Sequence, residues 1–294
     1  MDINYELYKV FYYVATSLSF SEASKRLYIS QSAVSQSIKT LERKIGQPLF
    51  IRSTKKVQLT PAGELLLQHI EPAMNLIRRG EEQIQSVSET KLGQLHIGAS
   101  DTICRYFLVP YIQKFHQAHP DVPIKVTNAT SKSCVDLLEH GQVDIIFSNY
   151  PNDKLTSSYI TKTVSVFQDV FVGNPDSFPS IETPMSLKDI AKLPIMLLEK
   201  NSTTSQYLHE IFLKHQLELV PEFQLYSNDL LIDLARIGLG LAFVPDYCIP
   251  RSGKKLHIVD LKENLPRRQM VAGIHPDLPL TASAEAFLEL LPNL

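Results

Sequence analysis

Between Ser30 and Arg43 the chain places two kinds of polar side chain on one helical face. Ser32, Ser35 and Gln36 are short hydrogen-bonding groups, and Lys39 and Arg43 further on are cations. The first kind can exchange hydrogen bonds with base edges and the second can neutralise phosphates, so the face has the composition of a helix lying in a DNA major groove. Ser30 stands where it can cap that helix and leave the first amides aimed at a phosphate. A different chemistry recurs further along, in Ser100-Asp101-Thr102, Thr130-Ser131-Lys132-Ser133 and Asn201-Ser202-Thr203-Thr204-Ser205. Each follows an apolar strand-like run and opens a helical one. Hydroxyls beside helix N-terminal amides suit a small anion such as a carboxylate. Taken singly, each is an ordinary cap or loop; three facing one cleft would make a site. Phe147-Ser148-Asn149 and Ser227-Asn228 are weaker additions.

Elements must exist that position these groups. Val34, Ile38, Leu41 and Ile45 recur at steps of four, three and four, the inward stripe of the helix that carries the polar face. Residues 20–49 therefore predict two short helices joined by a tight turn. Residues 4–16 predict a first helix with Leu7, Val10, Phe11 and Val14 on one side. Ser19 with Glu22 offers a capping box, and Ser21 is an equally good cap. Two extended runs, Leu49 to Arg52 and Val57 to Thr60, flank a basic polar tip and predict a β-hairpin wing that places Arg52, Lys55 and Lys56 beside the groove. From Pro61 to about Ser88 the pattern is helical, roughly 40 Å long at ~1.5 Å per residue. Its stripe of Leu66, Ile70, Ala73, Met74, Ile77, Ile84 and Val87 predicts pairing with a second copy, hence a dimer. Pro72 should kink this helix or mark a boundary in it.

After a hinge at Lys91-Leu92-Gly93 the pattern changes. Strands are predicted near 95–99, 123–126, 143–147, 194–198, 223–226, 241–244, 257–259 and 270–274. Helices are predicted through Phe107, Ile112 and Phe115, near 134–138, and over 204–215, 228–237 and 281–291. This alternation predicts parallel sheets covered on both faces, in two similar halves with a cleft between them.

The first part resembles the LysR-type transcriptional regulators. The matching pieces are Phe20-Ser21-Glu22-Ala23-Ser24 with Leu27; Gln31-Ser32-Ala33-Val34-Ser35 with Ile38; Leu41-Glu42; Gly46-Gln47-Pro48-Leu49-Phe50 with Arg52; and Leu59-Thr60-Pro61-Ala62-Gly63. Ser24 departs from the second Ala that many members carry, and is small enough to pack there. The resemblance covers residues 1 to about 90 by motif and the remainder by layout. It implies an α/β chain: a winged helix-turn-helix DNA-binding domain at 1–60, a linker and dimerisation helix at 61–90, and a bilobed effector-binding domain at 91–294 that is similar to the periplasmic binding proteins. Lobe I would take about 91–163 and 268–294, and lobe II about 164–267, with crossovers near 161–168 and 265–269. It adds Gln31 to the DNA-facing set and selects Ser100, Thr102, Thr130, Ser131, Ser202 and Thr203 as effector contacts. It implies double-stranded DNA with an interrupted palindrome, a small anionic metabolite, and self-association as a dimer or a dimer of dimers.

Composition limits the rest. Residues 1–60 hold nine Lys/Arg against four Asp/Glu, whereas residues 91–294 hold 18 against 22, so only one end is built to approach nucleic acid. No apolar run approaches the ~20 residues of a membrane span, and the first residues lack a basic region followed by a cleavage site; a cytoplasmic protein with no membrane partner is expected. Cys104, Cys134 and Cys248 have no zinc spacing and are expected to be reduced thiols. Peroxide-sensing LysR-type members use a Cys pair in the middle of the effector domain, and 190–230 here contains none. No GxSxG, HExxH or P-loop occurs, so no catalytic residue, metal or cofactor is expected. Two alternatives stay open: a bilobed enzyme fused to a DNA-binding adaptor, with Asp101 or Glu199 as base, and a C-terminal part that serves assembly alone.

Overall fold

The computed structural model describes residues 3–52, 56–88, 92–249 and 255–292, with side chains for all of these except 52, 82, 83 and 85–88. The chain divides into two compact units, Met1–Gln85 with Glu139–Gln142, and Ser86–Leu138 with Val143–Leu294.

In the first unit, α1 (Tyr5–Ser17), α2 (Phe20–Leu27) and α3 (Gln31–Ile45) enclose a core of Phe11, Val14, Ala23, Val34, Ile38 and Leu41, all fully buried. Each large apolar side chain withdrawn from water in this way contributes about 1.5–3 kcal/mol before the entropy of ordering it is counted. Of the two serines that could cap α2, Ser19 does so, its hydroxyl accepting the Glu22 amide at 3.2 Å. Ser30 caps α3 by accepting the Ala33 amide at 3.2 Å. Gly46 ends α3 at φ 81°, a conformation open to glycine without Cβ strain.

Strands β1 (Phe50–Arg52) and β2 (Val57–Leu59) pair antiparallel, Phe50 opposite Leu59 and Arg52 opposite Val57. Side chains fix this wing to α3. The Glu42 carboxylate accepts the Leu49 and Phe50 amides at 2.8 and 3.2 Å. Thr60 donates to the Pro48 carbonyl at 2.7 Å and accepts the Gly63 amide at 3.0 Å, opening α4 (Pro61–Ser88). A Cβ at Gly63 would lie 2.2 Å from the Leu49 carbonyl oxygen, which is why no larger residue fits there.

Helix α4 runs unbroken through Pro72, so the proline marks no boundary. Its expected apolar stripe divides. Leu66 and Ile70 pack on the core of their own unit, whereas Ile77 and Ile84 stay 57% and 73% exposed.

The second unit holds two five-stranded sheets. The first has the order β4-β3-β5-β12-β6 and is built from β3 (Leu95–Ala99), β4 (Ile124–Asn128), β5 (Ile145–Tyr150), β6 (Ile160–Phe167) and β12 (Arg268–Ile274). The second has the order β11-β7-β10-β8-β9, from β7 (Asp169–Gly173), β8 (Ile195–Leu198), β9 (Phe223–Leu225), β10 (Leu241–Pro245) and β11 (His257–Ile258). Among the described residues, three strands of each sheet pair parallel, β4-β3-β5 and β10-β8-β9, and one strand, β12 or β7, runs antiparallel to both of its neighbours. The wholly parallel sheets expected from the alternation are therefore mixed. Strand β6 falls where a crossover near 161–168 is expected, and neither β6 nor β7 is among the expected strands. The chain leaves the first sheet after Phe167 and enters the second at Asp169, so residues 164–167 pair in the first sheet and not in the second lobe.

Helices cover both faces of each sheet. On the first, α6 (Val109–Ala118) and α11 (Ala282–Glu289) bring Phe115 and Phe287 against Phe147, and α7 (Ser131–Glu139) packs Cys134 and Leu138 on the other side. On the second, α8 (Leu187–Ile190) and α9 (Thr203–Lys214) cover one face and α10 (Asn228–Arg236) the other. The single helix predicted through Phe107 is composite: one turn, α5 (Asp101–Ile103), then a π-helical turn at Cys104–Leu108, then α6.

Candidate functional site

In the first unit the expected sidedness of α3 is present. Val34, Ile38 and Leu41 are fully buried, Ile45 is half-buried, and Gln31, Ser32, Gln36, Lys39 and Arg43 are exposed. Ser35 is half-buried between two shallow recesses. One is bounded by Phe20, Gln31, Ser32 and Val57, and the other by Ser32, Gln36, Lys39, Thr40 and Arg43. Ser30 is exposed at the cap, its hydroxyl 2.8 Å from that of Ser32. Lys56 is exposed at the start of the second wing strand. Lys55 and the Arg52 side chain lie outside the described residues. This face offers neutral donors and acceptors at the helix N-terminus and cations along its length, the two contact types a duplex groove takes up.

In the second unit the strand ends of both sheets face a cavity of about 420 Å³. All six hydroxyl residues singled out by sequence line it, three residue pairs from three helix starts. Several have a structural task as well. Ser100 and Ser202 cap their helices by accepting the Ile103 and Ser205 amides at 3.3 and 3.0 Å. Thr130 accepts the Ser133 amide at 3.2 Å, and the buried Ser131 hydroxyl accepts the Asn149 amide at 3.2 Å. A cap oxygen that accepts from the backbone keeps its own proton to donate; Thr130 donates its proton to Ser133 Oγ at 3.0 Å. Lys132 lies in the same cluster but pairs with Asp153 at 2.7 Å. Of the weaker additions, Asn149, Ser227 and Asn228 also line the cavity, whereas Phe147 and Ser148 are fully buried and do not; Asp101 and Glu199 line it as well.

The lobes are tied to each other on one side of the cavity. Asn228 Nδ2 donates to Thr102 Oγ1 at 3.0 Å, the Tyr106 hydroxyl donates to the Asp229 carboxylate, and Arg105 lies 3.5 Å from the same carboxylate. Burial and the Asp229 charge push the Tyr106 phenol up to about 12, so it stays protonated and donates.

Where the chain crosses between sheets, Arg268 and Asp169 form a buried ion pair at 2.8 Å, 2% and 1% exposed. Arg268 also donates to Thr204 Oγ1 at 3.3 Å, and its guanidinium stacks over Tyr207 and Phe167 with centroid distances of 4.9 and 5.4 Å. Burial pushes the Asp169 carboxyl up, against the opposing pull of Arg268. The sequence reading missed this pair. The available signal was the β-patterned run from Ile160 to Gly173, which identifies the segments that must cross.

The three cysteines are free thiols; Cys134 and Cys248 are buried and Cys104 half-buried. Burial raises Cys104 to about 11 and Cys134 to about 12, which leaves almost no thiolate at neutral pH. Among the described residues no cluster of metal ligands occurs, and no helix is long and apolar enough to cross a membrane.

Comparison with known proteins follows the same division. Residues 5–64 match the family described as bacterial regulatory helix-turn-helix protein, lysR family, and residues 88–293 match the LysR substrate binding domain. A probable RuBisCO transcriptional regulator of Nostoc sp. is 29% identical over 293 residues, 95% of this chain and 85% of that one. The RuBisCO operon transcriptional regulator of Allochromatium vinosum is 27% identical, over 98% of this chain and 95% of its own. Among solved structures, full-length CbnR complexed with its target DNA superposes with a TM-score of 0.68 at 17% identity, covering 98% of this chain and 99% of that one. Full-length OxyR of Pseudomonas aeruginosa gives 0.70 at 18% identity, over 99% and 95%. Both share the fold.

Proposed function

The chain belongs to the LysR family of DNA-binding transcriptional regulators and carries its effector-binding domain, and from that premise we propose that it regulates transcription as a dimer reading an interrupted palindrome, governed by a small molecule with an anionic group held in the interlobe cavity. It acts in the cytoplasm and catalyses no reaction. Residues 1–60 bind DNA, 61–90 join protomers and 91–294 bind the effector, with dimers pairing further into tetramers. Ser30, Gln31, Ser32, Ser35, Gln36 and Lys39 meet the duplex from α3, and Arg52, Lys55 and Lys56 from the wing. Ser100, Thr102, Thr130, Ser131, Ser202 and Thr203 meet the effector.

The observation that carries this reading is the sidedness of α3: three fully buried aliphatics behind an exposed row of Ser32, Gln36, Lys39 and Arg43. A groove-reading helix needs that division, because base contacts specify and phosphate contacts position. The test is a competition assay between specific and non-specific duplexes. Gln36→Ala should lower the specificity ratio, since a bidentate base contact is worth ~1–3 kcal/mol. Lys39→Ala should weaken both duplexes alike and reduce the salt slope by about one. An unchanged specificity ratio for Gln36→Ala would place the reading face elsewhere.

A further inference from the structure

The charge of the cavity lining narrows the ligand beyond an anion. Four helix starts supply hydroxyls, yet none of the lining residues is Lys, Arg or His, while two, Asp101 and Glu199, are carboxylates. Two cations at neighbouring positions are paired elsewhere: Lys132 with Asp153 at 2.7 Å, and Arg105 3.5 Å from Asp229. Lys200 and His209 line an adjoining recess that shares Asn201 and Thr203 with the cavity but are not part of the cavity lining. A ligand carrying negative charge alone would meet the hydroxyl protons favourably and the two carboxylates unfavourably.

A third group points the same way. Asn228 lines the cavity and is only 5% exposed. Its Nδ2 is engaged with Thr102, and its Oδ1 has no partner among the described residues. A buried amide oxygen left without a donor is costly in a native fold and calls for one from outside. The cavity therefore presents hydroxyls at the starts of α5, α7, α9 and α10 and carboxylate acceptors at Asp101 and Glu199, with the unpartnered Asn228 amide oxygen buried in its wall.

We propose that the effector is zwitterionic, an amino-acid-like compound whose carboxylate is held by the hydroxyls at the starts of α7 and α9 and whose ammonium is held by Asp101, Glu199 and the Asn228 amide oxygen. This rests on the cavity being the effector site. Both ends of such a ligand are charge-matched: helix N-termini favour the carboxylate, and the side-chain carboxylates accept from an ammonium in charge-assisted bonds. A volume of about 420 Å³ lies within the ordinary range of small-ligand pockets.

The test is calorimetric titration of the full chain with the common L-amino acids, each against its matched 2-hydroxy acid, which keeps the carboxylate and loses the ammonium. At least one amino acid should bind, with its hydroxy acid weaker by about tenfold or more, as expected for one charge-assisted bond lost. Glu199→Gln and Asp101→Asn should each weaken the amino acid and spare the hydroxy acid, and Thr203→Val should weaken both. Absence of binding by every amino acid at millimolar concentration overturns the zwitterion. So does a hydroxy acid or dicarboxylate that binds as well as its amine counterpart and tightens in Glu199→Gln; sensitivity to Thr203→Val would then leave the cavity itself as the effector site. Amino-acid binding that ignores Thr203→Val, Glu199→Gln and Asp101→Asn together would overturn both.

Discussion

Arg268→Met is expected to destabilise the effector-binding unit more than any change on its surface. Met keeps much of the length and stacking of the side chain but withdraws the charge, leaving Asp169 with 1% exposure and no cation. Breaking a buried pair by removing one partner costs ~3–5 kcal/mol. The unit holds roughly 200 residues, so its unfolding entropy is about 0.4 kcal/mol/K, and the midpoint should fall by roughly 7–12 °C. The loss has a pH signature. Burial already raises the Asp169 carboxyl, and without Arg268 the only large opposing pull is gone. An acid whose folded value lies above its unfolded value of about 3.9 is most favourable to the fold when protonated, so stability is greatest below that pH and falls as pH rises through the folded value. The deficit of the variant should therefore be larger near pH 8 than near pH 5. Asp169→Asn added to Arg268→Met should recover much of the loss, because the stranded charge is then absent. Scanning calorimetry of the full chain at the two pH values measures all three. A midpoint shift under about 3 °C, or a double variant no better than the single, would refute the assignment of Arg268 and Asp169 as an interdependent buried pair.

Two further outcomes follow from the first unit. Glu42→Ala leaves the Leu49 and Phe50 amides without their carboxylate; chemical denaturation should show a loss of about 1–3 kcal/mol, with operator affinity falling because the wing loses its anchor to α3. Ile77→Glu places a charge on a side chain that is 57% exposed in the single chain; if α4 joins protomers, sedimentation should show monomers, and operator affinity should drop because two half-sites are no longer held together.

What the sequence made legible was whatever has a period or a cap. The α3 stripe, the start of α4 at Pro61 and the hydroxyl caps at Ser100, Thr130 and Ser202 all obey local rules, and each lies where those rules put it. Strand direction does not obey a local rule. Strand β12 is antiparallel and central, with Met270 to Gly273 buried, so it shows the same apolar run as a parallel central strand. The ion pair was hidden for a related reason. Arg267 and Arg268 are adjacent and chemically identical in sequence, but Arg267 is exposed and Arg268 is 2% exposed. Only the crossover from β11 to β12, together with that from β6 to β7, brings Arg268 to Asp169 across 99 positions of chain.

The two sides of the interlobe cavity are held with unequal strength, and this bears on what a ligand must do. At the crossovers the covalent chain and a fully buried ion pair hold the lobes. At the start of α10 three polar contacts hold them: Asn228 to Thr102, Tyr106 to Asp229 and Arg105 to Asp229. The neutral bond from Asn228 to Thr102 contributes ~0.5–1.5 kcal/mol net and the bond from Tyr106 to the charged Asp229 ~1.5–3 kcal/mol, and a pair as exposed as Arg105 with Asp229 contributes ~0–1 kcal/mol. The α10 side is therefore worth on the order of 2–5 kcal/mol, a range that overlaps the ~1–3 kcal/mol typical of coupling between sites. Thr102 and Asn228 are at once members of this contact and part of the cavity lining. A ligand that engages them competes with, or reinforces, a bond between the lobes. It shifts the arrangement only by the difference in its affinity for the two states, and one charge-assisted bond of ~1.5–3 kcal/mol is commensurate with the contact it meets. A ligand confined to one lobe gains nothing from that contact, so the groups that matter for switching are those that face each other across it.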